Sequence, residues 1–210
     1  MHPPSLRLYV DNLFTSPYAM SVFVALREKG LAFETLTLDL DAAQNQTADF
    51  AKLSLTQRVP TLEEGDFALS ESSAITEYLE EAYPEPAVYP ADPKQRARAR
   101  QVQAWLRSDL LPIRQERSTL VVFCGQKMPP LSPAGQAAAQ KLIGAAQALL
   151  AGNPDYLFGT WSIADVDLAV MLNRLILNGD SVPAELAAYA QRQWQRPSVQ
   201  AWVNQPRPAL

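Results

Sequence analysis

The chain has 210 residues, of which 48% are apolar and 19% charged, and its formal net charge is −4. This composition is ordinary for a globular protein of one large domain or two small ones, and it excludes an intrinsically disordered chain. The single histidine, His2, and the single cysteine, Cys124, exclude a Ser-His-Asp triad, a Cys-His protease, a histidine-rich zinc site and an internal disulfide. We therefore expect chemistry that uses no metal.

The distribution of charge and hydropathy limits the classes of partner that this chain is expected to bind. No apolar stretch approaches the roughly 20 residues that span a bilayer, and the first four residues carry no signal-peptide pattern, so we expect a cytoplasmic protein without a membrane partner. Residues 1–83 carry a net charge of −8 and residues 84–210 a net charge of +4. The acidic first part argues against a nucleic-acid partner. The basic run at residues 94–100 is typical of a solvated helix face or of a patch that meets the acidic part of a second copy.

The first third of the chain predicts a small α/β unit. Residues 6–10 alternate like a strand, and Ser16-Pro17 has the residue types preferred at a helix start. Apolar residues then follow at helical spacing up to Gly30, where a helix end is expected. The remaining predicted elements are a strand at residues 33–38, a hairpin at residues 61–69 and a helix at residues 72–83.

A proline-rich segment separates this unit from an all-helical remainder. The predicted domains are residues 1–84 and 94–210, joined by a linker at residues 85–93. Helices are predicted at residues 93–123 with a kink at Pro112, and at residues 133–151, 163–177, 183–195 and 197–203. The fold class is therefore an α/β domain followed by an all-α domain.

Ser16 is the first candidate for chemistry. Its hydroxyl could simply cap the helix that begins at Pro17. Alternatively, the exposed N–H groups and the dipole of this helix end would favour an anion, and a thiol bound there would ionise more readily.

Two further segments suit a peptide-like ligand. Val59-Pro60 could serve only to form a turn or to interrupt the hydrogen bonding at a strand edge. A cis peptide bond there, however, would turn the backbone groups of Val59 toward a ligand backbone. A serine among residues 70–73 could cap the following helix. In the functional alternative, Ser72 holds an α-carboxylate at the helix N-terminus while Glu71 binds an α-ammonium group.

Taken together, Ser16-Pro17-Tyr18, Arg58-Val59-Pro60 and Glu71-Ser72 resemble the cytosolic glutathione transferase family. Residues 158–165 resemble the capping motif of the family's helical domain, in which Ser162 begins a helix and Asp165 reaches back to it. Residues 70–75 and 103–110 look like the YfcF-type bacterial branch. The resemblance covers nearly the whole chain.

This resemblance implies a thioredoxin-like N-terminal domain that binds glutathione and an all-helical C-terminal domain that lines the second-substrate site. By position, Ser16 would hydrogen-bond the glutathione sulfur, and the backbone of Val59 would pair with the cysteinyl moiety. The other implied binding residues are the cis-proline Pro60, the γ-glutamyl binders Glu71 and Ser72, and Arg58 or Lys52 for the glycine carboxylate.

Several other residues are weaker candidates under the same resemblance. Tyr9 and Tyr18 could approach the sulfur, although a packing or wall role is the milder interpretation. Cys124 is expected to be a buried small hydrophobe. Asp109 could reach across a dimer to the ammonium group of a neighbouring glutathione. Ser16-Pro17-Tyr18-Ala19 stands where glutaredoxins have Cys-Pro-Tyr-Cys, which excludes a dithiol cycle carried by the protein.

The implied activity uses glutathione as co-substrate, with no permanently bound cofactor, in a homodimer. The second substrate would be a small hydrophobic electrophile or an organic hydroperoxide. A glutathione-dependent isomerase or disulfide-bond reductase would share the thiol site, and a non-catalytic adaptor or a ligand carrier would share the fold. The presence of all the expected thiol-site residues favours the enzyme.

Overall fold

The computed structural model describes residues 6–208; residues 1–5, which include His2, and residues 209–210 lie outside the described range. The chain divides into two compact units. The first runs to Val88 and also takes in the chain from Ala201 onward, and the second runs from Tyr89 to Gln200.

The first unit is built on a four-stranded mixed sheet in the order β2-β1-β3-β4. Strand β1 is parallel to β2 and antiparallel to β3, and β3 is antiparallel to β4. A parallel pair needs a crossover connection, which α1 supplies. The elements are β1 (Leu6–Asp11), α1 (Pro17–Glu28), β2 (Phe33–Leu38), α2 (Ala48–Leu53), β3 (Thr61–Glu64), β4 (Phe67–Ser70) and α3 (Ser72–Ala82).

Helix α1 forms the core of this unit, and its eight consecutive residues from Ala19 to Leu26 are all buried. Gly30, with φ of +65°, ends the helix in the left-handed conformation that glycine adopts without strain. The predicted strands, hairpin and helices are confirmed. Helix α2 and the 3₁₀ turn Gln44–Gln46 were not predicted, because segments of six and three residues are too short to show a hydrophobic period.

The second unit is all-helical in its described elements. Helix α8 is its centre, with twelve of 14 residues buried. The chain passes from this unit back to the first within α10. The helices are α4 (Pro93–Ser108), α5 (Leu111–Glu116), α6 (Thr119–Cys124), α7 (Pro133–Leu149), α8 (Ile163–Ile176), α9 (Ala184–Trp194) and α10 (Pro197–Val203).

The prediction of one kinked helix over residues 93–123 is wrong. Helix α4 ends at Ser108, and Leu110 lies in the left-handed region with φ of +59°, which breaks the helical hydrogen bonding before Pro112 is reached. Pro112 instead lies in the first turn of α5, where its missing N–H costs nothing. A second interruption at Arg117 separates α5 from α6.

Candidate functional site

The predicted site segments of the first unit meet at one end of its sheet. Tyr9 of β1 pairs with Thr61 of β3, and Thr61 pairs with Ser70 of β4. Paired Cα atoms lie about 5 Å apart, so these three residues form a row across the sheet. Each candidate segment begins or ends within a few residues of this row: the loop from β1 to Ser16, Val59-Pro60 before β3, and Glu71-Ser72 after β4.

Ser16 is the N-cap residue of α1, with an extended backbone at φ −71° and ψ 113°. Its Oγ accepts a hydrogen bond from the N–H of Ala19 at 3.2 Å. Pro17, at the first helical position, has no N–H to offer. Because a hydroxyl can accept and donate at once, capping leaves the proton of Ser16 for a ligand, and the two interpretations of this residue are compatible.

The loop before Ser16 depends on a residue that the sequence analysis did not single out. Asp11, the last residue of β1, is only 4% exposed. Its carboxylate accepts hydrogen bonds from the Thr15 N–H at 2.7 Å, the Thr15 hydroxyl at 2.9 Å and the Ser16 N–H at 3.0 Å. An aspartate at a strand end, four residues before Thr15, is the available sequence signal, since such side chains bond the backbone of the turn that follows.

Val59 lies two residues before β3, outside the strand ladder, and the Val59–Pro60 peptide bond is cis. The loop that carries it is fixed by side chains. The hydroxyl of Thr61 donates to the Arg58 carbonyl at 2.8 Å, and the Asn45 amide donates to the Gln57 carbonyl at 2.8 Å. The side chain of Arg58 is exposed.

Glu71 occupies the N-cap position of α3, and within the described residues no side chain caps this helix. The capping role considered for a serine among residues 70–73 is therefore not realised. Ser72 is the first helical residue and is buried, whereas Glu71 is exposed. The first N–H groups of a helix lack partners within it, so this end suits a carboxylate. Glu71 has φ of +78°, a backbone conformation that costs a non-glycine residue about 1–3 kcal/mol.

Four weaker candidates have surroundings of their own. The Tyr9 hydroxyl donates to Glu63 at 2.8 Å. Burial raises the pKa of Tyr9 most, and this hydrogen bond raises it further. Lys52 is exposed and pairs with Asp49. Cys124, expected to be buried, is half-exposed at the end of α6. Tyr18 is half-buried in the first turn of α1, where a wall role remains a prediction.

Asp109 lies at the end of α4 in the second unit. Its carboxylate contacts the Lys141 ammonium and accepts hydrogen bonds from the Trp105 indole at 2.9 Å and the Leu110 N–H at 2.8 Å. These groups, Lys141 above all, lower the pKa of Asp109 to about 2. Its carboxylate is thus ionised at neutral pH, and its role toward a neighbouring glutathione remains a prediction.

Ser162 and Asp165 form a capping box at the start of α8. The fully buried Asp165 carboxylate accepts from the Ser162 N–H at 2.8 Å, the Ser162 hydroxyl at 3.0 Å, the Leu157 N–H at 2.9 Å and the Tyr189 hydroxyl at 2.9 Å. Burial raises the pKa of Asp165, and these donors oppose that rise. The two residues therefore hold the start of the central helix of the second unit.

Within residues 6–208, no group of three or more His, Cys, Asp or Glu side chains is arranged to hold a metal ion. None of the helices in the same part of the chain combines the length and the hydropathy of a bilayer-spanning segment.

The mixed sheet with its helices, followed by an all-helical unit, defines a thioredoxin-like domain joined to a helical domain, the glutathione transferase fold. Residues 5–81 match the family model "Glutathione S-transferase, N-terminal domain", and residues 92–206 match "Glutathione S-transferase, C-terminal domain". The chain belongs to the glutathione S-transferase family.

Individual relatives agree with this assignment. A solved glutathione transferase homolog from Burkholderia strain BGR1, with bound glutathione, is 47% identical with a TM-score of 0.77, over 96% of this chain and 97% of its own. Glutathione S-transferase theta-3 of Mus musculus is 36% identical over 130 residues, which are 60% of this chain and 53% of that protein. Maleylacetoacetate isomerase of Pseudomonas aeruginosa is 38% identical over 112 residues, 51% of each chain.

The chain thus spans about half the length of the curated relatives it matches. Across the family, glutathione is a substrate rather than a permanently bound cofactor.

Proposed function

We propose that this chain is a glutathione transferase that binds glutathione as a thiolate beside Ser16 and directs it at small electrophiles. The observation that carries the proposal is the Ser16 hydroxyl, whose oxygen caps α1 by accepting from the Ala19 N–H. Its proton would then be donated to the sulfur. The bound glutathione in the 47% identical Burkholderia protein supports the choice of thiol. We propose that the protein acts in the cytoplasm, where thiols are kept reduced. We also propose that it belongs to the YfcF-type bacterial branch of the family.

The gain in reaction rate comes from the larger fraction of the bound glutathione thiol that is ionised. A free thiol with a pKa near 8.5 is only about 3% thiolate at pH 7, whereas a pKa lowered by about 2 units gives about 75%. That shift corresponds to about 2.7 kcal/mol of preferential stabilisation of the anion. A hydroxyl donor together with a helix N-terminus supplies interactions of this size when water is partly excluded.

Two reactions follow from such a thiolate. In transfer by substitution, the sulfur forms a bond to an electrophilic carbon, and the electron pair of the broken bond leaves with the displaced group. In transfer by addition to a polarised double bond, the π electron pair moves to the neighbouring atom, which then takes up a proton. With an organic hydroperoxide, the sulfur attacks the peroxide oxygen and releases the alcohol. A second glutathione then reduces the resulting sulfenic acid, giving glutathione disulfide and water.

The rest of the tripeptide would be bound by the other segments at this end of the sheet. The backbone of Val59, next to the cis Pro60, would pair with the cysteinyl unit, as in strand addition. Ser72 and the start of α3 would hold the γ-glutamyl carboxylate, and the exposed Glu71 its ammonium group. Arg58 is proposed to hold the glycine carboxylate.

Replacing Glu71 by glutamine should raise the KM for glutathione about tenfold and leave kcat unchanged. The change removes a charge-assisted hydrogen bond to a part of the substrate that does not react, so binding in the ground and transition states weakens equally. Steady-state kinetics with varied glutathione measures both constants, and retention on immobilised glutathione should fall in parallel. Glu81→Gln, on the exposed face of the same helix, is the matched control and should change neither.

If the unaltered protein is not retained on immobilised glutathione and consumes no glutathione with the electrophiles tested, the proposal is wrong. A non-catalytic adaptor is then the better hypothesis.

A glutathione-dependent isomerase is the second candidate, favoured by the 38% identity to the Pseudomonas maleylacetoacetate isomerase. The same thiolate would add to a carbon–carbon double bond, allow rotation and leave again. Isomerisation therefore regenerates glutathione, whereas transfer consumes one molecule per turnover. The glutathione remaining after complete conversion of a maleyl substrate separates the two.

We also propose that the chain forms a homodimer. An apolar groove between α4 and α7 supports this, because its lining includes Val102, Trp105 and Leu149 together with the cations Arg98 and Lys141. The net charge of −8 over residues 1–83 would complement these two cations in a second copy. Complementary surfaces on one chain favour a twofold assembly.

Reversing both charges, in the double variant R98E/K141E, should weaken the dimer at least about tenfold, because two attractive contacts become repulsive. Sedimentation velocity over a concentration series measures the dissociation constant. The control R192E changes an exposed charge of α9 that is not part of the groove. An unaltered dissociation constant in the double variant would argue against this surface.

A further inference from the structure

We propose that Asp11 is a positioning residue for Ser16: its carboxylate sets the turn that points the serine hydroxyl at the thiol. The inference rests on the proposed function, since it assigns a role within the same site. Asp11 is the last residue of β1, which is hydrogen-bonded on both sides within the sheet. Its carboxylate therefore starts from a rigid element, as precise positioning requires.

The first step concerns the hydrogen bonds at the Ser16 end of the loop. Asp11 is 4% exposed and accepts from both groups of Thr15, the N–H and the hydroxyl, and from the N–H of Ser16. Bonds to two consecutive backbone N–H groups fix the peptide plane between Thr15 and Ser16. Because its N–H is already bonded to Asp11, Ser16 is left with its hydroxyl as the group that can donate to a sulfur anion.

The second step concerns the other side of the loop, which is also held. Phe14 has φ of +50°, a left-handed conformation that a bulky residue keeps only when its surroundings enforce it. The Arg207 guanidinium donates to the Phe14 carbonyl at 3.1 Å, and the Trp202 ring packs edge-on against Phe14 at 5.3 Å between centroids. With Phe14 fixed in this way, the remaining freedom of the loop lies at Thr15 and Ser16, where Asp11 acts.

The test is a double-mutant cycle with Asp11→Asn and Ser16→Ala. Asparagine keeps the size of the side chain but replaces one acceptor oxygen by an NH₂ group, so one or more of the three donors loses its partner. We expect D11N to lower kcat at saturating glutathione about tenfold in the unaltered background, because a misplaced donor stabilises the thiolate poorly. In the Ser16→Ala background the same change should lower kcat less than about twofold. The ultraviolet absorbance of enzyme-bound thiolate should fall with D11N, while the Kd for glutathione stays within about threefold.

Asp165→Asn is the matched control. The buried Asp165 carboxylate also accepts from two backbone N–H groups and from a neighbouring hydroxyl, at the start of α8, so the same substitution disturbs a comparable set of bonds in the second unit. It should lower the melting temperature without changing kcat or the thiolate absorbance. If D11N does not fold, Thr15→Val, which removes only the hydroxyl bond to Asp11, takes its place in the same cycle.

The outcomes separate this inference from the function on which it rests. If Ser16→Ala lowers turnover as expected while D11N leaves kcat unchanged, or lowers it equally in both backgrounds, Asp11 is structural and only this inference is overturned. If Ser16→Ala itself retains full turnover, Ser16 does not activate the thiol and both proposals are wrong. A fall in kcat and in thiolate absorbance that requires Ser16 supports the positioning role.

Discussion

Replacing Ser16 by alanine is expected to lower kcat about 30-fold at saturating glutathione while the Kd for glutathione changes little. A hydrogen bond to a charged group contributes about 2 kcal/mol, and this one exists only when the sulfur is ionised. The tripeptide contacts proposed for Val59, Glu71 and Ser72 stay in place, so binding persists. Turnover with a small electrophile and the absorbance of bound thiolate are the measurements.

The same substitution also removes a helix cap, which by itself costs about 1 kcal/mol of stability. Ser132→Ala is the control for that effect, since Ser132-Pro133 begins α7 as Ser16-Pro17 begins α1, and its hydroxyl accepts from Gly135 at 3.1 Å. It should lower the melting temperature to a similar extent and leave kcat unchanged. Undiminished turnover in the Ser16→Ala protein would remove this residue from the mechanism.

Replacing Asp165 by alanine should lower the free energy of unfolding by about 4 kcal/mol. The change removes four hydrogen bonds and leaves the Tyr189 hydroxyl and the Leu157 N–H buried without this partner. For a chain of this length the melting temperature should fall by about 10 °C. Thermal and urea denaturation measure the effect.

A graded series makes this prediction specific. Tyr189→Phe removes one of the four bonds and should cost about 1 kcal/mol, as should Asp92→Ala, which removes an exposed cap. A loss for Asp165→Ala no larger than that for Asp92→Ala would show that burial adds nothing to this capping box. The KM for glutathione of the folded protein should be unchanged throughout, because Asp165 lies outside the unit in which we propose that glutathione binds.

The fold was largely predictable from local patterns. The alternation in β1, the capped start of α1 and the turn residues of the hairpin each specify one element, and their order specifies the α/β unit. The break at Leu110 was not predictable, since a leucine with positive φ contradicts its own preference and is held by contacts formed only on folding. Because the break at Leu110 has no local signal, Pro112 was the only visible interruption, and the sequence predicted a kink there in place of a helix end.

The site divides in the same way. Ser16, Glu71 and Ser72 stand at helix starts, where the sequence itself indicates exposed backbone donors. Asp11 escaped notice because one aspartate after a strand is compatible with many turns, and only the folded loop shows which donors it binds. The bond from Arg207 to Phe14 joins residues 193 positions apart, a separation that no local pattern encodes.

The return of the chain to the first unit has a consequence for biosynthesis. Trp202 is fully buried between Phe14 and Phe23. Trp202 and Arg207 are added to the nascent chain only after the whole helical unit has been translated. At a translation rate of about 5–20 residues per second, the first unit exists for several seconds or longer without the Trp202 ring that packs against Phe14 and Phe23. The proposed glutathione site is therefore expected to form last, so a polypeptide stalled before Trp202 would expose apolar surface to chaperones and would lack the ordered loop that precedes Ser16.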